Sequence, residues 1–145
     1  MGQADFEIRP FLDRDHAAVV ALWEEVFAGD PSWNAPAEMI RRKSTVQPEL
    51  FLVAHAREKV VGTVMAGFDG VRGWIHHLAV FPSLRRRGVA TRLMQAAEDG
   101  LANLGCPKVN LQVRSTNPGV IAFYQTIGYE IEERVSMGKR LRGLK

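Results

Sequence analysis

The sequence predicts an α/β (α+β) fold with a mixed, mostly antiparallel central sheet and about four helices. Three apolar, β-branched segments follow one another with short turns between them, over 50–56, 60–68 and 74–80. This spacing is typical of an antiparallel meander. An amphipathic segment over 88–104 then separates two strand-like segments, which implies a crossover and locally parallel pairing. The length of 145 residues fits one such domain, residues 1–145.

The part of the chain before the meander predicts one strand and two helices. Residues 6–9 are expected to form a short first strand. Asp13 or Asp15 can then cap a helix with apolar residues at helical spacing, which we expect to stop near Gly29. A second helix is expected over about 34–43, because a proline sits just inside its start.

The second half predicts two helices and two strands. Apolar residues recur every three or four positions over 88–104, and Gly105 follows as a stop signal. Apolar and polar residues alternate over 109–113, the period of a strand. One more helix is expected over 118–127, and 129–141 is expected to form a last strand or hairpin arm.

Composition favours a soluble globular protein. Hydrophobic residues make up 46% and charged residues 24%. No apolar run approaches the ~20 residues of a membrane helix, and the first ten residues lack the features of a signal peptide. We therefore expect a cytoplasmic protein with no membrane partner. The single cysteine, Cys106, cannot form an internal disulfide and is expected to be buried filler rather than a nucleophile.

The net charge is +3, but the basic residues are unevenly placed. They concentrate in one loop and near the C-terminus, at Arg85, Arg86 and Arg87 and at Lys139, Arg140, Arg142 and Lys145. Such clusters indicate nucleic acid, an anionic cofactor or a solvated loop. The flanking sequence decides among these alternatives.

Residues 80–91 lie between a predicted strand and the start of the strongest predicted helix. The first amides of a helix lack internal partners, and the peptide dipoles place about half a positive charge there. Gly88 and Ala90 are small where the backbone must approach phosphate oxygens. The GxGxxG and GxxxxGK[ST] motifs of other nucleotide sites are absent. The segment therefore predicts a pyrophosphate site, with a solvent-exposed basic turn as the alternative.

These features carry a resemblance to a known family. In chain order they are Leu78-Ala79-Val80 at a strand end, Arg85-x-x-Gly88-x-Ala90, Asn117, Phe123-Tyr124 and Gly128-Tyr129. The segment 50–129 thereby resembles the GCN5-related N-acetyltransferase (GNAT) superfamily. The resemblance implies a sheet of six to seven strands with strands 4 and 5 splayed apart. It also implies an N-acetyltransferase that carries the acetyl group of acetyl-CoA to a primary amine in a ternary complex.

The resemblance further implies where the cofactor lies. The backbone amides of 86–91 would hold the CoA pyrophosphate, the strand end 78–80 would pair with the pantetheine arm, and Asn117 would hydrogen-bond the pantetheine region. The thioester would lie between 74–80 and 109–113. The implied cofactor-binding residues are Leu78, Ala79, Val80, Arg85, Arg86, Arg87, Gly88, Val89, Ala90, Thr91, Asn117 and Tyr124.

Thioester aminolysis needs a neutral amine, an oxyanion donor and a proton for the leaving thiolate. By the same resemblance Tyr124 protonates the CoA sulfur, unless it is only a core tyrosine, and a backbone N–H within 78–80 is the oxyanion donor. Gln112 stands where the ribosomal-protein N-terminal acetyltransferases have a glutamate, and an amide cannot take a proton. The candidates for the general base are therefore His76, which stands where many relatives have a glutamate in strand 4, and then His77. Strand alternation predicts that the two histidines face opposite ways, so at most one is catalytic.

Acceptor choice in this family comes from segments that correspond here to 27–46 and 130–141. Trp33 and Asn34 are candidates to line that pocket, although a loop tryptophan more often caps the core. His16 and His55 lack metal-ligand spacing, so no metal is expected. The expected partner is a small-molecule or peptide amine, with a homodimer through sheet edges or the C-terminal arm.

Two alternatives stay open from the sequence. A CoA-binding regulatory pseudo-enzyme would bind acetyl-CoA without turnover, which the missing carboxylate at Gln112 makes plausible. A nucleic-acid module would use the two basic clusters, but no stacking aromatics interleave with 85–87. Nucleic acid is therefore not expected as a partner.

Overall fold

A computed structural model describes residues 5–141, so that Arg142 and Lys145 of the C-terminal basic cluster lie outside the described residues. The elements in chain order are β1 Glu7–Pro10, α1 His16–Val26, α2 Pro36–Lys43, β2 Phe51–Ala56, β3 Lys59–Phe68, β4 Gly73–Val80, α3 Val89–Asn103, β5 Val109–Leu111 and α4 Pro118–Thr126. All four predicted helices are confirmed, with ends shifted by one to three residues. The chain divides into two compact units, Met1–Leu111 and Gln112–Lys145.

The first unit contains a mixed sheet with the strand order β1-β2-β3-β4-β5. The first four strands pair antiparallel with their neighbours, and β5 pairs parallel with β4. The predicted meander and the parallel crossover through α3 are therefore confirmed. The turn between β2 and β3 has two residues with positive φ, Arg57 at +50° and Glu58 at +68°, as a tight hairpin requires.

The sheet has five strands, not the expected six to seven. The predicted strand over 109–113 ends at Leu111, and the described residues of 129–141 form no strand. In that segment Ile131, Val135 and Met137 are 75%, 86% and 90% exposed. Strands need a ladder partner and a covered face to be stable, and apolar side chains this exposed have no such cover.

Helices cover both faces of the sheet in the first unit. On one face α1 buries Val19, Leu22 and Trp23, each at most 1% exposed, in a cluster with Val53. On the other face α3 packs closely against β3. A Cβ atom at Gly62 would lie 2.9 Å from the Ala79 carbonyl oxygen and 3.1 Å from Leu93 Cδ1, so only glycine fits there. These packed layers hold β4 between two helical surfaces, which fixes the position of its backbone.

The second unit is a short helical segment followed by an extended arm. Asn117 caps α4, its Oδ1 accepting from the Val120 amide at 3.4 Å. The helix ends before Gly128, whose φ is +103°. Across the described residues, no helix is long and apolar enough to span a bilayer. The predictions of one domain and of a cytoplasmic location stay predictions.

Candidate active site

Strand β4 carries a bulge in its pairing with β3. Thr63 pairs with Ala79 and Met65 pairs with His76, so β4 has one residue more than β3 over this stretch. His77 takes up the extra length with a φ of +52°. A non-glycine residue in the left-handed region costs about 1–2 kcal/mol, so tertiary contacts must hold it there.

The bulge changes which way the two adjacent histidines face. Met65, the cross-strand partner of His76, packs in the same core cluster as Trp23. His77 lies on that side as well, because its ring is 4.7 Å from the Trp23 ring. The prediction that His76 and His77 lie on opposite faces is therefore wrong. Strict alternation holds only in a strand without an inserted residue.

His77 is enclosed by aromatic rings and one carboxylate. Its side chain is 11% exposed, and its ring lies 4.5 Å from the Phe27 ring. Burial lowers the pKa of the imidazole to about 4, although the Asp30 carboxylate opposes that shift. Nε2 of His77 lies 3.8 Å from Oδ2 of Asp30. The imidazole is therefore neutral at neutral pH, with a carboxylate close to one of its nitrogens.

His76 differs in being exposed to solvent. Desolvation by its surroundings, followed by the positive charge of Lys43, lowers the pKa of its imidazole. Lys43 is buried and its Nζ donates to the Ala66 carbonyl at 2.6 Å, which holds that charge near β4. The lowered pKa keeps His76 in the neutral state that accepts a proton at neutral pH.

The two strands at the predicted cofactor position part early. β5 pairs only with Gly73, Trp74 and Ile75, the first three residues of β4. Over 76–80, β4 pairs with β3, and among residues 5–141 no strand pairs with its other edge. This agrees with the predicted divergence of strands 4 and 5. Such an edge presents backbone N–H and C=O groups to an extended ligand.

The loop between β4 and α3 contains two residues in the left-handed region. Arg86 has a φ of +66° and Gly88, the N-cap of α3, has a φ of +82°, with Arg85 extended before them. Left-handed residues interspersed in a turn build the concave amide arrangement that binds anions. Glycine relieves the strain at Gly88, which is the residue next to the helix start.

Among residues 5–141, six consecutive amides at the end of this loop and the start of α3 have no backbone acceptor. The amides of Leu84 and Arg85 donate to backbone carbonyls, and the next one to do so is that of Arg92, which donates to Gly88. Between them, the amides of 86–91 meet no backbone carbonyl in the part of the chain that the structure describes. The 15-residue α3 adds its dipole at this end. The arrangement suits a pyrophosphate.

The three arginines of the loop have different surroundings. Nε of Arg85 donates to the Val80 carbonyl at 3.4 Å, which ties the loop to the end of β4. Arg86 and Arg87 are exposed. They add positive potential around the concavity without being tied to the strand.

Tyr124 is buried in the second unit, with 8% of its surface exposed. Its ring contacts Phe123 at 5.2 Å and Tyr129 at 5.7 Å, both edge to face. Burial raises the pKa of its phenol to about 12. The Tyr129 amide donates to the Tyr124 carbonyl at 3.0 Å, which fixes the end of α4 around it. The phenol therefore keeps its proton throughout the physiological range.

Residues 11–129 match the acetyltransferase (GNAT) family. This chain belongs to that family. An acetyltransferase of Pectobacterium atrosepticum is 44% identical over 135 residues, which is 93% of this chain and 95% of the relative. Ard1 from Thermoplasma volcanium has a similar structure, with a TM-score of 0.77 and 26% identity over 89% of this chain and 85% of that one. The aminoglycoside N-acetyltransferase AAC(6')-Iy in complex with CoA has a TM-score of 0.75 at 22% identity, over 93% and 94% of the two chains. The chain is an acyltransferase.

A pocket of about 290 Å³ in this GNAT acetyltransferase adjoins the bulge of β4. It lies at the C-terminal end of α1 and the loop that follows, within the segment 27–46 from which the resemblance predicts acceptor choice. Asn34 lines it, whereas Trp33 is not among its lining residues and is 47% exposed. Phe27 and Asp30 also line it, and both lie in the predicted segment 27–46, although Asp30 was not named individually.

Gln112 and Cys106 are not among the residues that line this pocket. Gln112 is exposed, and its Nε2 donates to the Ser136 hydroxyl within the second unit. Cys106 is half-buried and its thiol donates to the Lys108 carbonyl at 3.3 Å. Within residues 5–141, no group of three or more His, Cys, Asp or Glu side chains is placed to hold a metal ion.

Proposed function

We propose that this GNAT acetyltransferase transfers the acetyl group of acetyl-CoA to a primary amine by direct attack in a ternary complex. As a member of the family, the chain uses acetyl-CoA as its cosubstrate. The observation that carries the proposal is the row of six amides at 86–91 without backbone acceptors, next to the open edge of β4. An anionic diphosphate with a long amide-containing arm complements both features.

The proposed cofactor contacts follow the chain from strand to loop. The edge of β4 at 78–80 pairs with the pantetheine amides, and the amides of 86–91 hold the pyrophosphate. Arg85 braces the loop through its bond to Val80, while Arg86 and Arg87 attract the phosphates. By the family resemblance Asn117 hydrogen-bonds the pantetheine region. Because its Oδ1 caps α4, its amide nitrogen is the group that takes this role.

The proposed chemistry moves one acetyl group and balances its protons. His76 takes a proton from the ammonium, directly or through water, and the free amine attacks the thioester carbonyl. A backbone N–H within 78–80 donates to the oxyanion. As the C–S bond breaks, Tyr124 donates a proton to the sulfur, and the proton lost by the new amide nitrogen replaces it through solvent. The net products are the amide, free CoA thiol and one proton.

The family match covers residues 11–129 and so spans both compact units. We therefore propose that the two units together constitute one acetyltransferase domain. The exposed apolar side chains of the arm, Ile131, Val135, Met137 and Leu141, support a homodimer in which this arm is covered by a second copy. Light scattering of the full chain measures that state directly, and a monomer at all concentrations would exclude the dimer.

The placement of the pyrophosphate is tested by Gly88→Glu. We expect CoA affinity to fall at least roughly tenfold, because the substitution puts bulk and negative charge at the anion site. Gly105→Glu is the matched control: its φ of +84° equals the +82° of Gly88 within two degrees, and it follows the other end of α3. Both variants carry the same backbone strain, so a difference in CoA affinity between them comes from the proposed pyrophosphate site. Equal CoA affinities in the two variants would contradict the placement.

Turnover itself is tested by free-thiol release from acetyl-CoA with a panel of primary amines. Amine-dependent release supports the transferase. Tight acetyl-CoA binding without release from any amine would favour the regulatory alternative instead.

A further inference from the structure

The pocket beside His77 has an acidic and aromatic lining. Trp23, Phe27 and Pro31 supply apolar walls, while Glu24 and Asp30 supply two carboxylates. Among the described residues that line it, none is a lysine or an arginine. Its volume of about 290 Å³ lies at the lower end of the range for small-molecule sites. The lining therefore favours a small cationic ligand over an anionic one.

Asp30 and His77 are spaced to share one ligand atom. The 3.8 Å between Asp30 Oδ2 and His77 Nε2 exceeds a direct hydrogen bond. An amine nitrogen fits at about 2.9 Å from both Asp30 Oδ2 and His77 Nε2. A primary ammonium has three N–H groups, so it can donate to both atoms. The geometry thus provides two acceptors for a single amine nitrogen, at the bulge of β4.

We propose that Asp30 is the specificity-determining residue for the acceptor, and that the acceptor is a cationic primary amine on a small apolar or aromatic stem. The proposal rests on the acetyltransferase function proposed above and names the substrate class of that site. The Asp30 carboxylate accepts one N–H of the ammonium, His77 Nε2 accepts another, and the half-buried Phe27 ring covers the stem.

The state of His77 supports this arrangement. Burial lowers the pKa of the imidazole to about 4, so it is neutral at working pH and does not repel an ammonium. Of the charged and titratable groups that face it, Asp30 raises its pKa and His76 lowers it, while Glu24 lines the same pocket. A substrate that carries a carboxylate next to its amine would meet two like charges here and is selected against.

The test uses 2-phenylethylamine and its uncharged analogue 2-phenylethanol, titrated calorimetrically into the full chain saturated with CoA. Asp30→Asn is expected to weaken binding of the amine by roughly tenfold or more and to leave binding of the alcohol unchanged. Asp30→Glu is expected to recover part of the loss. Glu25→Gln is the matched control, because Glu25 is an exposed carboxylate at the end of α1, five residues before Asp30, and does not line the pocket.

Turnover of 2-phenylethylamine gives a second readout. Asp30→Asn is expected to raise the KM for the amine with little change in kcat and none in the affinity for CoA, as loss of uniform binding requires. Three results would overturn the assignment: wild type that binds neither probe, wild type that does not prefer the amine, or an Asp30→Asn variant that binds it normally. Amine binding without any thiol release would instead contradict the proposed function and leave the binding assignment standing.

Discussion

Thr63 Oγ1 donates a 3.0 Å hydrogen bond to the backbone carbonyl of His77, from the neighbouring strand. The same hydroxyl accepts from Trp23 Nε1 at 2.9 Å. Thr63 is fully buried, so no water competes for either bond. One side chain therefore links α1, β3 and the bulge of β4, and holds His77 in its left-handed conformation.

Thr63→Val keeps the volume of the side chain but removes both hydrogen bonds. We expect the free energy of unfolding to fall by about 2–4 kcal/mol, because an indole N–H and a carbonyl both lose buried partners. Thr45→Val is the control, since the Thr45 hydroxyl donates to the Arg42 carbonyl at the exposed end of α2. Urea unfolding measures both. Equal losses of unfolding free energy in the two variants would show that the two hydrogen bonds of Thr63 do not stabilise the fold.

Tyr124→Phe tests the proposed acid. The variant keeps the ring contacts with Phe123 and Tyr129 and loses the phenolic proton. We expect kcat to fall by about tenfold or more while CoA affinity changes little. Tyr129→Phe removes the other tyrosine hydroxyl of the chain and is expected to retain more activity. An unaltered rate in Tyr124→Phe would remove Tyr124 from the mechanism.

His76→Gln tests the proposed base. The amide cannot take a proton, so we expect kcat to fall by about tenfold or more at saturating acetyl-CoA. In wild type the rate is expected to rise with pH through a value below the ordinary histidine pKa, because desolvation and Lys43 lower the pKa of His76. This rise of the rate with pH should be absent in His76→Gln. It should persist in His16→Gln, because His16 lies on the exposed side of α1.

His77→Phe tests the buried neutral imidazole through stability. The folded pKa of about 4 lies below the unfolded value of 6.5, so the unfolded chain binds more protons between these pH values. The contribution of His77 to the free energy of unfolding is expected to be complete above pH 6.5 and to fall by about 3 kcal/mol as the pH falls to about 4. Phenylalanine cannot titrate and keeps the aromatic packing. Unfolding curves of the two proteins at neutral pH and near pH 4 give the difference; parallel losses would mean that His77 is not the group responsible.

The form of the loop before α3 could be predicted from the sequence, because all of its parts are adjacent in the chain. A glycine before an amphipathic helix and after a strand already specifies amides without helix partners and a dipole. The approach of Asp30 to His77 could not be predicted in this way. Asp30 lies in a loop without any repeating spacing, and only the packing of α1 against β4 brings it within 3.8 Å of His77.

The directions of the two histidines could not be predicted either. Strand alternation is correct for a regular ladder, whereas the extra residue in β4 depends on its register with β3. The C-terminal segment 129–141 was predicted as a strand from its local pattern, and that pattern was not sufficient. Its alternating apolar residues are compatible with a strand, but a strand forms only where another strand offers free backbone groups.

The sequence by itself determined the helices, the meander, the parallel crossover and the glycine-containing loop before α3, because periodicity, caps and turn residues act over a few neighbouring positions. Tertiary structure alone decided the bulge at His77, the 3.8 Å approach of His77 to Asp30 and the ending of β5 after three residues. These features depend on contacts between residues far apart in the chain. The interactions that stabilise these features form only when the strands and helices pack, so no local sequence pattern predicts them.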